Sequence, residues 1–305
     1  MKDQNSILTY AALAMAVLFW GLSFVATKIA LQSFSPFCLI FFRFSVAALF
    51  FAALLWRNGF PRFSRTNIKS LIFLAIMQPG LYFTFETLGL QYTSATKTAL
   101  IIATIPIAVL ILSTLLLRER VGLINILGII CSLAGVVLLV FGSVGQSQLD
   151  GMLIGDLLIL GAVLAASVYM ILIRRLSNTL SSLQITGMQI IFGAVLFFPA
   201  FLFELPGLSW DKVSGESLAA LAALTLFATI GAFLCYNYAL SKIPAAQAAA
   251  CINGIPLVTA GAAWLLLGET LTLVQLAGGA IVLAAVFIAN HSPPSEGLVA
   301  AEPKA

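Results

Sequence analysis

The sequence contains very little charge. Aspartate, glutamate, lysine and arginine together make up 9% of its 305 residues, whereas hydrophobic residues make up 61%. A soluble domain carries about 25% charged residues, so this chain cannot cover a water-facing surface, and we expect lipid to be its main solvent. The net charge of +4 does not indicate a nucleic-acid partner, because in a membrane protein the positions of the positive charges matter more than their sum.

Several chemical motifs are also absent from the sequence. It has no GxxxxGK[ST] motif, which excludes a pump with its own P-loop ATPase. It has one histidine, His291, so an HExxH metal site and a Ser–His pair within the membrane are excluded. The four cysteines lie inside apolar runs without metal-ligand or redox spacing, and we expect them to pack as small apolar side chains. The prediction is a protein that is not an enzyme and that holds no metal and no cofactor.

Long apolar runs fill most of the chain. A spanning helix needs about 20 apolar residues, and the first run, which follows MKDQNS, lacks the cleavage site of a signal peptide. We predict ten transmembrane helices, at residues 8–31, 36–56, 68–91, 95–117, 121–142, 152–173, 183–203, 217–240, 244–267 and 272–290. The polar, proline-rich residues 291–305 are predicted to form a disordered cytoplasmic tail.

The positive charges favour one orientation in the membrane. With the N-terminus in the cytoplasm, eleven of the fifteen lysines and arginines fall in cytoplasmic segments, and one, Lys212, falls on the outer side. The other three, Lys28, Arg43 and Lys97, lie within predicted helices. We therefore predict that both termini are cytoplasmic.

The chain contains an internal duplication. Leu90–Arg120 recurs as Leu240–Thr270 at a constant shift of 150 residues, with a proline and a glutamate among the matched positions. Predicted helices 1 and 2 match helices 6 and 7 at a shift of 146 residues. We infer a first repeat over residues 8–142 and a second over 152–290. Each repeat has an odd number of helices, so the two run in opposite directions. The predicted fold class is an all-α integral membrane protein with ten transmembrane helices in two inverted five-helix repeats, which are typical of secondary transporters.

The ten helices, the repeat and the Pro…Glu stretch in each half resemble the drug/metabolite transporter superfamily, most closely its EamA family of bacterial metabolite exporters. The resemblance covers residues 8–290. The chain departs from the family pattern at Ala166-Ser167, where a Trp-Ala pair is common among family members. The residues that carry it are Trp20, Gly21, Pro36, Arg43, Ala95, Pro106, Glu119, Ala245, Pro256 and Glu269. The resemblance implies export of amino acids, purines or other small metabolites without ATP, across the bacterial inner membrane.

Some polar residues lie within the predicted helices. An ionisable side chain in the membrane is costly and is a functional candidate by default. Gln78, Tyr82 and Glu86 are spaced i, i+4 and i+8, which predicts one helix face. Arg43 lies about 10 Å and Glu86 about 9 Å from the same membrane face at a rise of about 1.5 Å per residue. An Arg43–Glu86 pair is therefore possible, either as a binding and proton-coupling site or as a structural ion pair.

The repeat shifts pair these positions with polar residues in the other half. Arg43 corresponds to Gln189, Glu86 to Tyr236, and Lys97 to Gln247, so we predict a cavity lined by both repeats. The candidate substrate-binding residues are Trp20, Arg43, Gln78, Tyr82, Glu86, Lys97, Gln189, Tyr236, Gln247 and Asn253. The candidate hinges are Pro106 and Pro256, because a proline frees a backbone carbonyl inside a helix.

A structural role is the alternative for several of these residues. A lysine near a helix end can extend to the headgroups, and we favour this interpretation for Lys28 and Lys97. We interpret Asp156 as a charge at the start of a helix, near the membrane interface. Trp20 and other aromatic residues either stack on a substrate or pack between helices.

Helix ends and glycines carry further structural expectations. Pro106 and Pro256 are either hinges or static kinks. Glu119 and Glu269 lie at helix ends and are expected to hold short turns. The glycines of predicted helices 5 and 10 indicate close helix packing. A homodimer interface on the same helices is the other option.

Three function classes fit these features. The first is a secondary carrier that exports a small organic metabolite by alternating access, with proton coupling through Glu86 as an option. The second is a membrane sensor or scaffold, and the third is a channel-like facilitator. All loops are about 15 residues or shorter, which favours the carrier. The expected partners are a small-molecule substrate and the lipid bilayer.

Overall fold

The structure is a computed structural model that describes residues 2–60, 65–117, 123–142, 149–176, 179–240, 242 and 253–291. Within these ranges all regular secondary structure is helical. The α-helices are α1 (Lys2–Ala30), α2 (Pro36–Asn58), α3 (Arg65–Ala75), α4 (Tyr82–Leu90), α5 (Ala95–Ile102), α6 (Ile105–Leu117), α7 (Leu123–Phe141), α8 (Leu149–Leu176), α9 (Ser182–Glu204), α10 (Gly215–Ala223), α11 (Ala232–Leu240), α12 (Ile255–Leu267) and α13 (Leu273–His291).

The helices have the length and composition of a multi-pass membrane protein. Seven helical segments of the described chain are long and apolar enough to cross a membrane, and three shorter ones are apolar as well. Their positions follow the predicted helices, although only the second part of predicted helix 9 lies within the described residues. His291 still belongs to α13, and the rest of the predicted tail lies outside the described residues.

Predicted helices 3 and 8 are each interrupted by a π-helical segment. The first π segment, Ile76–Leu81, joins α3 to α4, and the second, Leu224–Gly231, joins α10 to α11. Within the first, Gln78 departs from helical geometry with φ −144° and ψ 117°. At the shift of 150 residues the first segment falls on residues 226–231, inside the second. Both repeats therefore carry a π-helical segment at the aligned position, although the non-helical residue is found only in the first of these two segments. Such segments often occur at functional sites.

The two candidate hinge prolines stand at the start of a helical segment. Predicted helix 4 is divided by a turn at Ala103 and Thr104, and Pro106 is the second residue of α6. A turn also precedes α12, whose second residue is Pro256. A proline is well tolerated in the first turn, where its missing N–H has no intrahelical partner. The prolines therefore begin new segments, and their action as moving hinges stays a prediction.

The helix packing is symmetric under exchange of the two halves. The most extensive contacts join α7 to α13 and α2 to α9, which are counterparts of one another in the two repeats. The contact between α4 and α8 corresponds to the contact between α11 and α1 in the other arrangement of the halves. In the same way, the contact between α6 and α8 corresponds to the contact between α12 and α1. A two-fold relation between the repeats requires this pattern. Their inverted orientation in the membrane stays a prediction.

Glycines bring α7 and α13 into backbone contact. A Cβ added to Gly135 would lie 2.8 Å from the carbonyl oxygen of Gly278, and one added to Gly278 would lie 2.8 Å from that of Gly135. Only glycine allows the backbones to approach so closely. The predicted close packing of these two glycines is confirmed.

Candidate substrate-binding site

Arg43 is a buried cation that contacts both halves of the chain. Its side chain on α2 is 6% exposed, and its Nε donates a hydrogen bond to Thr229 Oγ1 at 2.6 Å. The guanidinium carbon lies 4.8 Å from the ring centroid of Phe83 and 5.8 Å from that of Phe44, and aromatic faces attract a cation at such distances. Thr229 belongs to the second π segment, so the first repeat binds the irregular part of the second through this arginine.

Glu86 lies near Arg43 without pairing with it. It is 3% exposed, and its Oε2 has no hydrogen-bond partner among the described residues. Arg43 and Glu86 interact electrostatically, but they form none of the ion pairs of 4.0 Å or less found within the described ranges. The Arg43–Glu86 pair that the sequence allowed is therefore not formed in this structure, because the guanidinium turns towards the hydroxyl of Thr229.

The predicted polar face of helix 3 is shorter than expected. Tyr82 and Glu86 lie one turn apart in α4, and Tyr82 packs edge-on against Phe83 with 4.9 Å between ring centroids. Gln78 lies in the π segment with extended backbone angles. Regular helical spacing does not extend across this break, so the prediction of a single face from Gln78 to Glu86 is wrong.

Aromatic side chains from both repeats meet beside this cluster. Trp20 on α1 donates its indole Nε1–H to the carbonyl oxygen of Ala228 at 3.1 Å. The Trp20 ring lies 5.5 Å from the Phe233 ring and 5.2 Å from the Tyr236 ring, between centroids. Because Ala228 directly precedes Thr229, the second π segment binds Trp20 and Arg43 at adjacent residues. The structure thus brings two predicted residues, Trp20 and Arg43, to one segment, and places a third, Tyr236, against the Trp20 ring.

Gln189 belongs to a polar contact within the second repeat. It is 2% exposed, and its Oε1 accepts a hydrogen bond from the Tyr169 hydroxyl at 3.1 Å. Nearby along α9, Thr186 Oγ1 accepts a hydrogen bond from Asn237 Nδ2 at 3.1 Å. Sequence reasoning did not identify Thr186 or Asn237, because uncharged polar residues are frequent in membrane helices.

Lys97 has a different environment from the one predicted. Its Nζ lies 2.5 Å from Asp156 Oδ2, and both side chains are 1% exposed. Lys97 also donates to the Val140 carbonyl oxygen at 3.3 Å, and the Thr93 hydroxyl donates to Asp156 Oδ1 at 2.7 Å. The prediction that Lys97 extends to the headgroups is wrong, because its charge is neutralised by Asp156 inside the protein. The position of Asp156 near the membrane interface stays a prediction. Among the described residues, neither Lys97 nor Asp156 forms an ion pair or hydrogen bond with Arg43.

Glu269 has the expected structural role at a helix end. It accepts hydrogen bonds from the backbone N–H groups of Ala95 at 2.9 Å and Thr96 at 3.1 Å, and from the Thr96 hydroxyl at 3.1 Å. Lys28 Nζ lies 3.4 Å from the same carboxylate, so this lysine pairs with Glu269, which differs from the predicted extension to the headgroups. Glu269 caps α5 of the other repeat, which the sequence did not indicate. Glu119 lies outside the described residues.

The remaining predicted residues contribute less to the described site. Asn253 is half-buried in the turn before α12, and Gln247 lies outside the described residues. Among the residues described, no group of three or more His, Cys, Asp and Glu side chains could hold a metal ion. Thr225, Thr229 and Tyr236 share one predicted face of helix 8 at i, i+4 and i+11, but Thr229 was not included among the candidate binding residues.

The apolar helices form a bundle of two similar halves, which buries charged and aromatic side chains. This is the architecture of a membrane transporter. The sequence model of the EamA-like transporter family matches residues 7–141 and again residues 153–291. The chain therefore belongs to the EamA-like transporter family, and the resemblance found in the sequence is confirmed.

Relatives of similar length support this membership. An uncharacterized transporter of Archaeoglobus fulgidus is 29% identical over 279 residues, which cover 92% of this chain and 97% of that protein. The uncharacterized transporter YetK of Bacillus subtilis is 26% identical over 282 residues, which cover 92% and 86%. A crystal structure with 16% sequence identity superposes with a TM-score of 0.65 over 93% of this chain and 98% of the other, which shows a shared fold.

Proposed function

We propose that the protein is a secondary transporter that exports a small, amino-acid-like metabolite across the bacterial inner membrane by alternating access. In this proposal both termini are cytoplasmic. The observation that carries it is a carboxylate oxygen of Glu86 that is buried near the Arg43 guanidinium and has no hydrogen-bond partner among the described residues.

The unpartnered oxygen points to a ligand. Leaving a buried polar atom unsatisfied costs about 1–3 kcal/mol, and more for a charged group. A substrate ammonium group or a proton would satisfy Glu86. The Arg43 guanidinium is a natural partner for a substrate carboxylate, because its planar donors match carboxylate geometry. A zwitterionic substrate would place its carboxylate at Arg43 and its ammonium group at Glu86. Tyr82 and Phe83 would then lie beside the side chain of the substrate.

Alternating access is supported by the repeated irregularities of the fold. Both halves carry a π segment at the same aligned position, and both carry a turn before Pro106 or Pro256. Two similar halves can exchange conformations and expose a central site to either side. Irregular segments that interrupt spanning helices are where such changes are accommodated most easily.

Proton coupling would follow from competition at Glu86. A proton and a substrate ammonium group cannot both occupy the same carboxylate. If Glu86 takes a proton from outside and releases it inside, where the substrate then binds, one proton enters for each substrate molecule that leaves. An inward proton gradient would then drive export, without any contribution from ATP.

Efflux from proteoliposomes tests this function. The vesicles are loaded with a pool of amino acids, nucleosides and small organic acids, and efflux is followed by mass spectrometry. Empty liposomes and the Glu216→Gln variant, which changes an exposed acid, are the controls. We expect selective efflux of zwitterionic amino acids, accelerated by the same compound outside.

The same assay separates the other function classes. Efflux without acceleration by external substrate would indicate a channel-like facilitator. The absence of efflux above empty liposomes, from protein shown to be folded, would contradict transport of the pooled compounds and favour a sensor. Efflux of another compound class would contradict the zwitterion assignment.

A further inference from the structure

Three carboxylates of the second repeat hold the ends of two helices in the first repeat. Glu204 accepts hydrogen bonds from the backbone N–H groups of Phe37 at 2.9 Å and Cys38 at 3.1 Å, at the start of α2. Glu269 caps the start of α5, and Asp156 binds the ammonium group in its first turn. We call Asp156, Glu204 and Glu269 the outer clamp, because α2 and α5 begin on the side that the charge bias predicts to be outside.

The outer clamp supplies contacts that the first repeat lacks by itself. Ser35, the residue before α2, makes no side-chain capping hydrogen bond, so Glu204 provides the cap from the other repeat. The Lys97–Asp156 pair is fully buried, with both side chains 1% exposed. Hydrogen bonds to an ionised group are roughly twice as strong as neutral ones. The two repeats are therefore joined by strong contacts at this side of the membrane.

The opposite side is held differently. α9 is the counterpart of α2, and it caps itself through a capping box. Gln184 N donates to Ser181 Oγ at 3.3 Å, and Ser181 N donates to Gln184 Oε1 at 3.1 Å. Among the described residues, a neutral hydrogen bond crosses between the repeats here, from Gln184 Nε2 to the Gly59 carbonyl oxygen at 3.4 Å. The carboxylate cap across the repeats is thus replaced by a local cap.

The sequence carries the same asymmetry. The repeat shifts align Asp156 with Tyr10, Glu204 with Asn58, and Glu269 with Glu119. Two of the three acids therefore have uncharged counterparts. Lys97, the partner of Asp156, likewise aligns with the uncharged Gln247. The predicted inner side cannot form the buried ion pair at these positions.

We infer that the outer clamp biases the transporter towards the conformation that is closed on the predicted outer side, and that its contacts break each time the site opens there. This inference rests on the proposed alternating-access function. If the contacts between repeats are stronger on one side, the two conformations differ in free energy and one is populated more. The resting protein would then present its site to the cytoplasm, the side from which an exporter takes up its substrate.

Thiol labelling from outside tests the inference. The four native cysteines are replaced by alanine, and Ala99→Cys is introduced as a reporter. Ala99 is 1% exposed and packs in a cluster between α5, α1 and α12, so it becomes accessible only when the first turns of α5 separate. A second reporter, Gln91→Cys, is exposed beside Glu269 and identifies the vesicle face that carries the outer clamp. A membrane-impermeant maleimide is then applied to that face.

We expect the labelling rate of the reporter to rise about tenfold in each of three variants, Asp156→Asn, Glu204→Gln and Glu269→Gln. Each change raises the population of the open conformation. Asp211→Asn, which changes an exposed acid on the same predicted side, is expected to leave it unchanged. If Asp156→Asn does not fold, Thr93→Val weakens the same contact without leaving an unpaired charge, and a smaller increase is expected. Unchanged labelling in the folded variants would overturn the inference. Labelling needs no substrate, so this outcome is distinct from a failure of the transport assay.

Discussion

The buried ion pair between Lys97 and Asp156 makes a strong prediction about stability. Both side chains are 1% exposed, with 2.5 Å between their charged atoms. Asp156→Asn removes the negative charge but keeps an oxygen that can accept the Thr93 hydrogen bond, which is 2.7 Å in the parent. Lys97 then remains as a buried cation, with the Val140 carbonyl at 3.3 Å as a neutral acceptor. Breaking a buried pair by removing one partner costs about 3–5 kcal/mol.

The double variant separates this charge effect from a loss of packing. Lys97→Met removes the cation that Asp156→Asn leaves unpaired, and replacing both members of a buried pair is often close to neutral. We therefore expect the double variant to lose much less than the sum of the single variants, with a coupling free energy of about 2 kcal/mol or more.

Thermal unfolding in detergent, followed by tryptophan fluorescence, measures these effects. At an unfolding entropy of about 2.1 cal/mol/K per residue, a loss of 1 kcal/mol lowers the Tm of this 305-residue chain by roughly 1.6 °C. Asp156→Asn should therefore unfold roughly 5–8 °C below the parent. The exposed change Glu216→Gln should stay within about 0.5 kcal/mol. Additive losses in the double variant would refute the reasoning, because they would mean that the two charges do not stabilise each other.

Three further changes test other parts of the molecule. Glu86→Gln removes the titratable proton but leaves a neutral acceptor for the substrate ammonium group, so proteoliposomes should lose pH-driven efflux and retain substrate exchange only at higher substrate concentration; unchanged pH dependence would contradict coupling at this residue. Thr229→Val removes the acceptor of the buried guanidinium and should lower the free energy of unfolding by about 1–3 kcal/mol, with Thr229→Ser restoring most of it. Gly278→Ala places a Cβ 2.8 Å from the Gly135 carbonyl oxygen and should cost about 1–3 kcal/mol in thermal unfolding. Gly261→Ala, which meets no atom within 4 Å, is its control and should be harmless.

Much of the helical layout was predictable from the sequence. Apolar runs of spanning length are a strong signal, and the described helices follow them. The π segments were not predictable in the same way. Pro79 indicates an irregularity in Ile76–Leu81, but Leu224–Gly231 contains no proline. Only the alignment of the repeats relates the second segment to the first.

The buried charges of the candidate site were predictable, but their partners were not. The position of a residue along a helix gives its depth in the membrane, and Arg43 and Glu86 were correctly expected to be buried. Depth does not give the direction in which a side chain points around the helix axis, and Arg43 turns towards Thr229. Lys97 and Asp156 were each interpreted alone, because headgroup contact and a distant partner satisfy a charge near a helix end equally well.

The exchange symmetry of the helix contacts has a consequence for the origin of the chain. Within the described residues, the largest contacts between the repeats map onto themselves or onto another contact when the halves are exchanged. If the repeats are inverted as predicted, a polypeptide with only five helices would find the same contacts in a second copy of itself inserted in the opposite orientation. Such an ancestor could have worked as a pair of identical chains, and fusion of two gene copies would have made the pairing permanent. After fusion the halves were free to diverge, which is how acids such as Asp156 and Glu204 could accumulate in one half alone.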